Sequence, residues 1–78
     1  MTDRADTDEQ LLIGEFAQRC RLPVSTLRYY DRIGLLHPAV VDESSGYRRY
    51  HADQLASAEL IARLRMLGVA PQQIAEIL

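Results

Sequence analysis

The segment Ser25-Thr26-Leu27-Arg28-Tyr29-Tyr30-Asp31-Arg32-Ile33-Gly34 carries two distinct faces at helical spacing. Val24, Leu27, Tyr30 or Asp31, and Gly34 fall on one side, whereas Ser25, Arg28, Tyr29 and Arg32 recur at i, i+3, i+4 and i+7 on the other. The spacing predicts a helix from about Val24 to Ile33 with an apolar inner side and an outer side of hydroxyl, guanidinium and phenol. Pro23 suits the first turn of such a helix and disfavours helical geometry in the residue before it. Gly34 then provides a left-handed end, and Pro38 blocks a return to helix.

Upstream, Ile13, Phe16, Ala17 and Cys20 repeat at i, i+3, i+4 and i+7, which predicts a first helix over roughly 12–20. Arg21-Leu22-Pro23 separates the two, so together they read as a helix-turn-helix. Downstream, residues 39–42, 43–46 and 47–50 read as strand, turn and strand, with Gly46 for the bend, giving a short hairpin or wing. Tyr47 and Tyr50 lie three apart on the second strand and so face opposite sides, Tyr50 as packing and Tyr47 exposed. A further helix is expected from near Ala52, with Leu60, Ile61, Leu64 and Leu67 as its apolar stripe and Gly68 as its stop. Pro71 opens a fourth helix bearing Ile74, Ile77 and Leu78. The expected class is therefore mainly α: a winged helix-turn-helix with a short β-hairpin wing and a second helix pair, spanning 11–78 as one domain. Residues 1–10 lack an apolar period and read as a flexible acidic leader that contributes little to folding.

Composition limits what such a domain can do. The chain has 78 residues, 47% hydrophobic and 26% charged, which fits a folded domain and not a disordered tail. At this length only roughly 60% of the unfolded surface is buried, so the core is thin and a large enzyme cleft is disfavoured. No apolar run approaches the roughly 20 residues of a membrane helix, and the acidic start is unlike a signal peptide. A single Cys points to a reducing, cytoplasmic setting.

The net charge of −2 argues against a phosphate-binding partner until its distribution is considered. Residues 1–9 carry −3, whereas residues 10–70 carry +2 and contain eight of the nine Arg residues. The folded part is mildly basic, and its cations are all Arg, whose planar fork suits phosphate and guanine edges.

Catalysis finds no support. His37 and His51 lack a paired nucleophile and read as surface or capping residues, and Cys20 falls in phase with the inner side of its helix as a small hydrophobe. With one Cys and two His the chain offers no zinc motif, and there is no glycine-rich phosphate loop, so no cofactor and no metal is expected. The outer side of the second helix is more informative, because it is followed by a wing carrying adjacent Arg48 and Arg49. Ser25, Thr26, Arg28, Tyr29 and Arg32 on the helix, with Tyr47, Arg48 and Arg49 on the wing, are the expected double-stranded DNA contacts.

Ile13-Gly14-Glu15-Phe16-Ala17, Thr26-Leu27-Arg28-Tyr29-Tyr30-Asp31, Gly46-Tyr47-Arg48-Arg49-Tyr50 and Leu67-Gly68-Val69 resemble, in order, the DNA-binding domain of the MerR family of bacterial transcription regulators. The resemblance implies that the second helix enters the major groove and the wing grips the flanking backbone. It also implies dimers on an inverted-repeat promoter operator, distortion of an over-long spacer, and RNA polymerase as a partner. Two features depart from the family pattern. Arg21 stands where many members have Gly, which predicts a strained left-handed turn residue. The long dimerisation helix and effector-sensing region of typical members do not follow residue 78, so the chain reads as an excised domain or a short member whose pairing is expected on DNA. An excisionase-type architectural DNA-bending protein and a protein-interaction module are the competing classes; the Arg28 and Tyr29 pair disfavours the latter, and the second helix pair disfavours the former.

Overall fold

The computed structural model describes residues 9–77. Seven elements follow one another: β1 (Gln10–Leu12), α1 (Ile13–Cys20), α2 (Val24–Arg32), β2 (Val40–Val41), β3 (Arg48–His51), α3 (Gln54–Met66) and α4 (Pro71–Ile77). The mainly α winged helix-turn-helix expected from the sequence is the observed architecture, with β2 and β3 as the wing and α3 and α4 as the second helix pair.

The strand β1 lies beyond the elements that the sequence pattern predicts. It pairs antiparallel with β3 in the register Gln10↔His51, Leu11↔Tyr50 and Leu12↔Arg49, so the wing's inner strand is the centre of a sheet ordered β1-β3-β2. The acidic leader expected over 1–10 thus ends earlier: Gln10 lies in the sheet, and the Glu9 carbonyl accepts the Ala52 N–H at 2.9 Å. Three residues are too few for a period of two to register, and the partner strand lies some 40 positions away, so sequence pattern alone could not find it. The rest of the expected leader, residues 1–8, lies outside the described residues, as does Leu78.

The turn between α1 and α2 adopts the geometry that Arg21 makes costly. Arg21 has φ 61° and ψ 39°, and the Leu22 N–H donates back to the Ala17 carbonyl at 3.0 Å, closing the helix end in the Schellman manner. A non-glycine residue tolerates this left-handed conformation only when surrounding contacts hold it. Here Phe16 and Ala17 on one side and Leu27 on the other are buried. At the end of α2, Gly34 has φ 78° and the Leu35 N–H reaches the Tyr30 carbonyl at 2.8 Å, which turns the chain so that Leu35 and Leu36 enter the core.

The core is centred on Phe16 of α1 and Tyr50 of β3, whose rings stack at 4.3 Å with an interplanar angle of 13°. Leu11, Leu27, Tyr30, Ala58, Ile61 and Ile74 close around them. Tyr50 is buried and Tyr47 exposed, as their spacing predicts. The expected stripe on α3 is corrected, because Leu60 and Leu67 are exposed and the buried face is Ala58 and Ile61, flanked by Leu55 and Leu64. At roughly 100° per residue Leu60 and Leu67 lie about 100° and 120° round the helix from Ile61, so they form a flank and not the seam. A small residue at position 58 lets the helix approach its neighbours closely, which a search for large apolar side chains passes over. On α4 the seam likewise contracts to Ile74, with Ile77 exposed.

Candidate nucleic-acid interface

α2 presents its outer side as expected. Ser25, Arg28 and Arg32 are exposed, and Thr26 and Tyr29 are half-buried. This follows from the inner anchors: Leu27 and Tyr30, at 0% and 1% exposure, fix the rotation of the helix, so the intervening positions must face outward. Tyr30 is held further by the Arg65 guanidinium of α3, which donates to its hydroxyl at 2.9 Å. Tyr29 is braced by α4, whose Gln72 side-chain amide donates to the phenol oxygen at 2.7 Å. The second helix pair therefore grips the two consecutive tyrosines of α2, one from each helix. The Tyr29 hydroxyl keeps its own proton, free to donate outward, and the Arg32 guanidinium lies 5.6 Å from the ring centroid.

The wing is shaped by its own side chains. Asp42 accepts from the Ser44 N–H at 2.9 Å, the Ser44 hydroxyl at 2.8 Å and the Ser45 N–H at 3.3 Å, and Gly46 turns the chain at φ 78°. These hydrogen bonds, that of the Ser44 hydroxyl foremost, hold the Asp42 carboxyl below the usual carboxylate range. Tyr47 emerges from this turn at 61% exposure. Arg49, half-buried, lies 3.9 Å from the Asp42 carboxylate.

Arg48 joins the wing to the helix. Its Nε is 3.5 Å from one oxygen of Asp31 on α2, and the other Asp31 oxygen meets Nδ1 of His37 at 2.7 Å. Asp31, His37, Gln54 and Gln72 are the polar residues that the pattern of the sequence did not bring to this region. The signal available for Asp31 was its sign, since it is the lone carboxylate on a helix whose other charges are Arg28 and Arg32. His37 is exposed, in keeping with a surface position, and His51 ends β3, where its N–H donates to the side-chain oxygen of Gln54, the first residue of α3, at 2.8 Å. Cys20 is half-buried, its Sγ lies 3.8 Å from the Ala17 carbonyl, and burial pushes the thiol above its ordinary range. Among the described residues no group of three or more His, Cys, Asp or Glu could hold a metal ion, and no helix is long and apolar enough to cross a membrane.

A helix-turn-helix whose second helix turns an Arg-bearing face outward beside a β-hairpin defines a winged helix-turn-helix protein. The description "MerR HTH family regulatory protein" matches residues 11–78, and the chain belongs to that family. It is 37% identical over 62 residues to the multidrug-efflux transporter 1 regulator of Bacillus subtilis, covering 80% of this chain and 22% of that protein. It is 38% identical over 66 residues to the heavy metal-dependent transcription regulator 2 of Rhizobium meliloti, covering 85% and 44%. Among solved structures, the EcmrR-DNA complex in EcmrR-RPo aligns with a TM-score of 0.74 and 47% identity over 77% of this chain and 22% of that one. A MerR-family regulator from Bacillus cereus aligns with a TM-score of 0.78 and 38% identity over 88% and 51%. The chain thus spans about half or less of the length of these relatives.

Proposed function

We propose that this chain is a sequence-specific double-stranded DNA-binding transcriptional regulator and not an enzyme. The observation that carries this reading is the ion pair between Arg48 and Asp31, because it brings the base of the wing against α2 and so makes one surface of two basic elements. α2 lies in the major groove, with Arg28 and Arg32 long enough to reach base edges or phosphates and Ser25, Thr26 and the Tyr29 hydroxyl as shorter donors. The wing lies along the flanking backbone, where Tyr47, Arg48 and Arg49 meet phosphate. That EcmrR, so similar in sequence and fold, has been solved on DNA supports this placement. The family resemblance extends the reading to a promoter operator with an inverted repeat, bound by two copies in the cytoplasm, where spacer distortion serves RNA polymerase.

The test is a fluorescence-anisotropy titration across salt concentrations, with a duplex from upstream of the gene and a scrambled duplex of equal length. Wild-type affinity should fall steeply with salt on both. Arg48→Ala should weaken both about equally and lower the slope of log K against log salt by about one per subunit bound. Loss confined to the upstream duplex would show that the wing reads bases; binding to neither duplex at low salt would overturn the assignment.

A further inference from the structure

We propose that Asp31 is a positioning residue for the wing: its carboxylate orients the Arg48 guanidinium toward the phosphate backbone. The proposal rests on the DNA-binding reading above. A carboxylate on a helix that approaches DNA is unexpected, since it repels phosphate unless donors occupy it. One Asp31 oxygen meets His37 Nδ1, from the loop after α2, at 2.7 Å, and the other faces Arg48 Nε, from β3, at 3.5 Å in an ion pair without a hydrogen bond. The Nε atom is itself buried and has no hydrogen-bond partner, so the Asp31 charge is what faces it.

The surrounding contacts hold this arrangement in place. Gln54 at the start of α3 donates its side-chain amide to the His37 carbonyl at 2.7 Å and accepts the His51 N–H through its other atom at 2.8 Å. One side chain thereby ties the loop carrying His37 to the strand carrying Arg48. A guanidinium is a rigid fork, so fixing Nε fixes the direction of the two terminal nitrogens. Neither of those nitrogens makes a hydrogen bond among the described residues, and the Arg48 side chain is partly exposed, which leaves them able to meet phosphate. Ordering Arg48 before binding reduces the entropy lost when the contact forms.

Simple charge counting and positioning differ in sign. Asp31→Asn removes a negative charge from the DNA-facing helix while keeping an oxygen that can accept from His37, so electrostatics alone makes binding to any duplex tighter. If Asp31 positions Arg48, Asp31→Asn should instead weaken binding to both duplexes by about three-fold, within the range for a partly exposed ion pair. The salt slope should move toward that of Arg48→Ala. In the Arg48→Ala background the same change should weaken nothing further, because the pair it acts through is gone. Arg48→Lys keeps the charge but lacks Nε; it should likewise bind about three-fold more weakly, and this variant serves if Asp31→Asn melts below the assay temperature. Equal or tighter binding by Asp31→Asn with a normal melt, or wild-type affinity in Arg48→Lys, would overturn the positioning role. Wild type failing to bind in a salt-dependent way would instead remove the DNA-binding reading itself.

Discussion

Replacing Tyr50 by Ala should remove a large part of the domain's stability. The ring is fully buried, stacks on Phe16 and faces Leu11 across the sheet, so truncation removes the centre of the core and the reason for β1 to pair with β3. Loss of a buried aromatic side chain costs about 3–5 kcal/mol. A domain of this length has a total stability of about 4–12 kcal/mol, so the loss takes from about a quarter to all of it. Urea denaturation followed by far-UV circular dichroism measures the loss. Tyr50→Phe separates ring from hydroxyl: the phenol oxygen is buried without a hydrogen-bond partner among the described residues, so this variant should fold with stability close to that of wild type.

Tyr50→Phe also makes a pH dependence visible. Burial first, and the Asp31 charge second, push the Tyr50 hydroxyl above its ordinary value of 10.0. The folded state therefore favours the neutral phenol. That contribution is fully present below the ordinary tyrosine value and is lost as pH rises through the raised one. Above pH about 10 wild type should lose stability more steeply than Tyr50→Phe. Parallel curves for the two proteins would show that the hydroxyl is solvated in the fold.

Arg28→Ala should give the largest loss of DNA affinity for a single side chain, about 1–3 kcal/mol, with discrimination relaxed at one position per half-site. The reason is geometric. Arg28 lies one residue beyond Leu27, whose burial fixes the helix rotation, so its side chain is exposed on the outer side of α2, and among the described residues it makes no ion pair that binding would have to break. The loss should fall mainly on the upstream duplex, in contrast to Arg48→Ala. Equal loss on the scrambled duplex would make Arg28 a phosphate contact, and unchanged affinity would remove it from the interface.

The parts of this structure that were legible in the sequence are those held by local rules. Pro23 and Gly34 bracket α2, Gly46 turns the wing, and the three-residue spacing of Tyr47 and Tyr50 assigns one outward and one inward. The outer row of α2 followed from the same period. What escaped depends on residues far apart in the chain. β1 exists only because Tyr50, some 40 positions on, needs Leu11 opposite it. The buried seam of α3 runs through Ala58, whose small side chain signals nothing by hydropathy. The polar links Asp31 to Arg48, Gln54 to His37 and Gln72 to Tyr29 join elements that periodicity treats separately, and only their packing brings them within hydrogen-bonding range.

The most direct test of the account is to follow backbone amide resonances of the labelled protein as a random-sequence duplex is added at low salt. The shifts are expected to concentrate at Ser25, Thr26, Arg28, Tyr29 and Arg32 of α2 and at Tyr47, Arg48 and Arg49 of the wing, above those of the other described residues. Shifts confined to residues outside α2 and the wing, or none at any residue of α2 and the wing, would contradict this reading.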